Sequence, residues 1–141
     1  EKISYRQKLN EDFIREFQDK VCWLIISIYQ KLSEDFIREF KDKVNWCCIS
    51  VYQKLNEKFI REFQDKVDWY YISFFQKLNR NFILEFKDKI CFKQLLYKFG
   101  YKVINYNDRF QIKSNNYCSD LLDFTELINL ALKLINLKAF Q

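Results

Sequence analysis

Four glutamines, Gln7, Gln30, Gln53 and Gln76, mark the register of a tandem repeat, since 30−7, 53−30 and 76−53 each give 23. Around them the chain nearly copies itself, as in WCCISVYQKLNEKFIREFQDKVD from Trp46 to Asp68. A repeat this short is one supersecondary unit that cannot bury its apolar side alone, so the copies must stack to make a core. Residues 1–100 therefore read as a repeat array and 101–141 as a C-terminal cap.

The array must turn without the usual breakers. The 141 residues hold one Gly and no Pro, against ordinary usage of roughly 7% and 5%, which favours helix over sheet. Trp23, Ile26, Ser27 and Gln30 recur as Trp46, Ile49, Ser50 and Gln53 and as Trp69, Ile72, Ser73 and Gln76. Their i, i+3, i+4, i+7 spacing puts all four on one helix face. Asn45 and Asp68 precede the Trp as N-caps, with Cys22 and Cys91 as poorer ones. The second half of each copy opens at Asn10, Ser33, Asn56 or Asn79, and Phe36, Ile37, Phe40 and Val44 then form the stripe of a surface helix of about three turns. Glu34 and Asp35 in its first turn suit the macrodipole, as do Lys41 and Lys43 in its last. Glu34 with Arg38 and Glu39 with Lys43 make i, i+4 pairs.

These patterns predict an all-α fold, a short-repeat α-solenoid with two helices per 23-residue repeat, closed by an apolar C-terminal helix. The alternative is an α/β leucine-rich-repeat-like horseshoe, because WLIISIY, WCCISVY and WYYISFF are rich in β-formers. A strand there needs a regular inward position after the Trp. That site holds Leu24, Cys47 and Tyr70 but also Glu1 and Lys93, while Phe92, Leu95, Leu96 and Phe99 follow helical spacing.

Past the array, Gly100 stands at a helix C-cap, and YKVINYNDRFQIK from Tyr101 to Lys113 alternates around Asn107-Asp108 as a short hairpin would. Ser119 is placed to cap a helix from Asp120 to Leu137 whose apolar residues, Leu121 among them, cover most of its circumference. Such a helix is buried, either closing the array or in a homodimer contact.

The composition argues against catalysis. There is no His, no glycine-rich loop, and no Ser or Cys beside a base. Glu16, Glu39, Glu62 and Glu85 recur as a solvated ladder rather than as a paired acid and base. The five cysteines are odd in number and lack metal or disulfide spacing, so they read as apolar fillers in a reducing, intracellular setting. No enzyme activity, cofactor, metal or small-molecule ligand is expected. No apolar run reaches the roughly 18 residues that span a bilayer and no signal peptide is present, so no membrane association is expected.

The net charge of +5 lies wholly after residue 68: residues 1–22 carry five basic and five acidic groups, 23–45 four and four, and 46–68 four and four. A nucleic-acid reader would carry a basic stripe along the array. The positions that vary on a constant framework are Leu24 and Ile25, Cys47 and Cys48, and Tyr70 and Tyr71, which either pack between repeats or bind a partner. The recurring Ser27, Ser50 and Ser73 would permit close helix approach, and the glutamines would satisfy backbone groups at the turns.

The motif QKLSEDFIREFKDKVNW from Gln30 to Trp46 resembles the tandem repeat of uncharacterised proteins of giant DNA viruses of the mimivirus type, over roughly residues 1–92. That resemblance implies a viral protein in the infected host cell cytoplasm or in the virion, and carries no functional residues over. The leading expectation is a non-enzymatic scaffold that binds another protein, a host factor for example, through the first-helix face or the cap. The alternatives are nucleic-acid binding in the basic C-terminal third, through Lys98, Lys102, Arg109 and Lys113 beside Tyr101, Tyr106 and Phe110, or self-assembly as a structural piece.

Overall fold

The computed structural model describes residues 7–115, 117–120 and 122–139, of which 137–139 by their backbone alone. The chain forms two bodies, Glu1–Lys77 and Leu78–Gln141. In the first, α1 (Glu11–Glu16), α3 (Glu34–Glu39) and α5 (Glu57–Glu62) alternate with α2 (Trp23–Tyr29), α4 (Trp46–Tyr52) and α6 (Trp69–Phe75). In the second, α7 (Arg80–Glu85) and α8 (Phe92–Lys98) precede strands β1 (Lys102–Tyr106), β2 (Arg109–Ser114) and β3 (Tyr117–Cys118) and helix α9 (Phe124–Ala139). Helices thus recur at the 23-residue period, but the fold is not all-α: β1, β2 and β3 form an antiparallel sheet in that order. The horseshoe is overturned as well, since the segments that would be its strands, Trp23–Tyr29, Trp46–Tyr52 and Trp69–Phe75, are helices.

Local capping explains how such short helices hold their ends. Asn10, Ser33, Asn56 and Asn79 accept from the backbone N–H of Phe13, Phe36, Phe59 and Phe82, three residues on. Asn45 does the same for Cys48 and Asp68 for Tyr70 and Tyr71, whereas Cys22 and Cys91 make no cap bond. The second helix of each repeat is shorter than its apolar stripe suggested. It stops at Glu39, after which the N–H groups of Lys43 and Val44 both converge on the Phe40 carbonyl, and this turn reverses the chain at negative φ without Gly or Pro.

Buried bonds between repeats hold the stack of α2, α4 and α6. Gln53 is the clearest case: its Oε1 accepts from Leu32 N at 3.1 Å, while its Nε2 donates to Ser27 O at 3.0 Å and Gln30 O at 2.8 Å. Gln76 repeats this on Leu55, Ser50 and Gln53, and Gln30 on Leu9 and Gln7. Ser27 Oγ donates to Trp23 O and accepts from Asn45 N, the cap of the next helix, and Ser50 does so for Trp46 and Asp68. The serines therefore bond across repeats as well as being small. Around them Ile26, Ile49, Ile72, Phe36, Ile37, Phe59 and Ile60 form the core.

The charged faces are cross-linked between repeats as well as paired within each helix. Glu34 bonds the backbone N–H and Nδ2 of Asn56, not Arg38, and Arg38 reaches Asp35 and, through Nε at 2.8 Å, Glu62 of the next repeat. Arg15 does the same with Asp12 and Glu39. Lys43 turns to Asp19 instead of Glu39. In a tandem array the neighbouring copy offers a carboxylate as close as the one a helical turn away, so the i, i+4 pairs of Glu34 with Arg38 and Glu39 with Lys43 give way, while Arg15 still reaches Glu11 at 3.8 Å.

In the second body, Gly100 at φ 83 closes α8 as a Schellman cap, with Tyr101 N on Leu96 O and Gly100 N on Tyr97 O. Asn107 and Asp108, both at positive φ, make the two-residue turn of the β1–β2 hairpin. The C-terminal helix starts later than its apolar run suggested. Asp123 and Glu126 form a capping box, each carboxylate accepting from the other's backbone N–H at 2.8 Å. Ser119 is instead buried, bonding Ile112 N and Asp120 O, and Leu121 lies outside the described residues, as does Glu1. Nor is α9 buried all round: Leu127, Ile128, Ala131, Leu132 and Leu134 face inward while Thr125, Glu126, Asn129, Lys133 and Asn136 are exposed, and the helix packs on α8 and β2.

Candidate interaction surface

The inward residues of each seven-residue helix leave four positions facing out. They are Leu24, Ile25, Ile28 and Tyr29 on α2; Cys47, Cys48, Val51 and Tyr52 on α4; and Tyr70, Tyr71, Phe74 and Phe75 on α6, all exposed or half-buried. None is charged. Since α2 packs on α4 and α4 on α6, the twelve side chains form one face. Leu24, Tyr29, Tyr52, Tyr70 and Phe75 are each 48–58% exposed. At roughly 150–250 Å² per large side chain, these five alone leave on the order of 500 Å² of apolar surface in water, at the upper end of what a monomer usually shows.

The face is densest at α6, where Tyr70 and Tyr71 meet edge-on at 5.3 Å and Phe74 and Phe75 at 4.8 Å. The nearby Cys47, then partial burial, and then Asp68, Tyr70 and Tyr52 raise the Tyr71 hydroxyl above its ordinary value. Burial, with Cys47 adding, pushes the Cys48 thiol up, so Cys48 is a weaker nucleophile than a free thiol. None of the five cysteines is in a disulfide. Among the described residues no cluster of His, Cys, Asp or Glu could hold a metal.

All six variable residues picked from the sequence, Leu24, Ile25, Cys47, Cys48, Tyr70 and Tyr71, lie on this face. The first of each pair is exposed, as filling between repeats would not leave it, and the second is half-buried. Sequence reasoning passed over Ile28 and Tyr29, Val51 and Tyr52, and Phe74 and Phe75 because these vary less. The signal was the uncharged seven-residue run itself: three inward positions leave the other four apolar residues with nowhere to go but out. The fourth copy, FKQLLYK on α8, puts Lys93, Gln94 and Lys98 at three of the four corresponding places and keeps only the exposed Tyr97, so the uncharged run ends there.

The residues chosen for nucleic acid divide. Alternation along the strands, with the pairs Lys102↔Lys113, Ile104↔Gln111 and Tyr106↔Arg109, puts Lys102, Tyr106, Arg109 and Lys113 on one sheet face. Tyr101 is buried and Phe110 belongs to the opposite face, its ring 6.3 Å from that of Phe124. Lys98 sits on α8, where burial lowers its ammonium below the ordinary lysine value.

The fold and this face together define a repeat stack that presents an apolar surface. Comparison with protein-family models, with curated proteins and with solved structures finds no match in any of the three. Among the described residues no helix is long and apolar enough to cross a membrane.

Proposed function

We propose that the chain is a non-enzymatic scaffold that binds another protein through the outward face of α2, α4 and α6. The observation that carries this is the row of half-exposed Leu, Tyr and Phe on three stacked helices with no charge among them. At about 25 cal/mol per Å², covering some 500 Å² is a gross driving force on the order of 10 kcal/mol, enough to offset the cost of association. Tyr-rich surfaces on rigid elements are also favoured contact sites. The resemblance of the repeat motif supports a viral protein acting in the infected cell or the virion, with a host protein as partner.

A photo-crosslinking residue placed at Tyr52 and, separately, at the exposed Lys58 on α5 tests this. Cross-linking to one protein from position 52 but not 58, abolished by Tyr29→Ser with Phe75→Ser, is the expected result. Equal products from both positions, or none, would refute it. A second reading rests on the shared face of Lys102, Tyr106, Arg109 and Lys113, which offers cations and one aromatic ring to a single strand. It requires binding to a mixed oligonucleotide pool at low salt.

A further inference from the structure

We infer that the partner segment is an amphipathic helix with acidic residues at heptad spacing beside its apolar stripe, laid across the repeats so that its carboxylates meet a row of lysines. The inference rests on the reading of the face as an interface and adds what lies at its rim. Gln30, Gln53 and Gln76 end α2, α4 and α6, and their side chains tie those ends together, Gln53 Nε2 to Gln30 O and Gln76 Nε2 to Gln53 O, both at 2.8 Å. The next residue in every copy is a lysine: Lys31, Lys54 and Lys77, with Lys8 following Gln7. The glutamine ladder therefore sets one exposed lysine, Lys31, Lys54 or Lys77, beside the C-terminal end of each of α2, α4 and α6.

Among the described residues none of these four lysines forms an ion pair, while Lys43 and Lys66, three residues before α4 and α6, do. Lys43 Nζ lies 3.1 Å from Asp19 and Lys66 Nζ 3.3 Å from Asp42. Lys43 and Lys66 are neutralised from within, whereas Lys31, Lys54 and Lys77 form no ion pair, the nearby Glu11 and Glu34 carboxylates being held on the backbone N–H groups of Ser33 and Asn56.

Spacing chooses the kind of segment. Packed helices lie about 8–10 Å apart, which sets the interval between lysines and keeps neighbours within a Debye length of each other. A helix rising 1.5 Å per residue advances about 10.5 Å in seven residues, so acids at i, i+7 and i+14 meet successive lysines from one side. An extended strand covers the same interval in about three residues, and its alternation would send every second acid to the wrong face.

Two 22-residue synthetic helices test the inference by fluorescence anisotropy with the full chain. Both carry the same Leu/Phe stripe, one with Glu and the other with Lys at the three heptad positions beside it. The Glu peptide is expected to bind at least ten-fold tighter, and Lys31→Glu with Lys54→Glu and Lys77→Glu should reverse that order while circular dichroism stays unchanged. Equal affinity for the two peptides would overturn the acidic partner and leave apolar docking standing. If neither peptide bound, both readings would fall. Sedimentation with phosphatidylserine vesicles that the triple variant abolishes would give the lysine row to a lipid surface, and so also overturn the inference.

Discussion

Replacing Gln53 by Ala removes one side chain and orphans three backbone groups. The Leu32 N–H and the carbonyls of Ser27 and Gln30 lose their partner, all in buried surroundings. An unsatisfied buried donor costs about 1–3 kcal/mol and each carbonyl about 1, so the substitution should cost roughly 3–5 kcal/mol. Gln30→Ala cuts the same bonds one repeat earlier, to Leu9 N and Gln7 O, but Gln7 is exposed and Leu9 half-buried. Water can replace the glutamine there, and the cost falls to about 1–2 kcal/mol. All three tryptophans, Trp23, Trp46 and Trp69, lie in the first body, so their fluorescence in urea reports that body alone. The two midpoints should differ by about 1 M, for a slope of about 1–3 kcal/mol per M. Gln53→Glu sharpens the test. The carboxylate would still accept from Leu32 but would face two carbonyls, which raises its folded-state pKa above the unfolded value of about 4.3. A raised carboxyl pKa means the folded state holds the extra proton, so stability is lost as pH rises from about 4.3 through the folded value, and Gln53→Glu should be more stable at pH 4 than at pH 7 relative to Gln53→Ala. Equal costs for Gln53→Ala and Gln30→Ala, or no pH dependence in Gln53→Glu, would show that the ladder does not hold the stack.

Other expectations follow from the same geometry. Ile49→Ala, at a side chain with no exposed surface, should cost about 2–5 kcal/mol by urea unfolding, whereas Tyr52→Ser should cost less than about 1 and act on binding instead. Cys22→Asn should stabilise by about 0.5–1 kcal/mol in the same assay, because Asn45 in the equivalent place caps Cys48 N at 2.9 Å and Cys22 caps nothing. Iodoacetamide followed by peptide mass spectrometry should modify the exposed Cys47 well before Cys48, whose thiol is raised by burial. A double-mutant cycle on Arg38 and Glu62, both partly in solvent, should give a coupling of no more than about 0.5 kcal/mol despite the 2.8 Å contact.

The period was legible in the sequence because the copies recur every 23 residues, and the caps and the sidedness of the first helix because each depends on residues within seven of one another. Asn56 caps Phe59 and Ile49 faces inward for reasons that WCCISVY and NEKF carry by themselves. The three-stranded sheet was foreseen only as far as its hairpin, and the all-α expectation failed on it. The alternation in YKVINYNDRFQIK is short, and β3 pairs through only Lys113↔Cys118 and Ser114↔Tyr117. What the tertiary structure alone decided are the bonds that span 18 to 26 residues: Gln53 to Ser27, Ser27 to Asn45, Arg38 to Glu62. No local propensity encodes them, since each arises when one copy of the repeat lands on the next at helix-packing distance. The same stacking turns three uncharged heptapeptides into a continuous face and sets a lysine after the end of each.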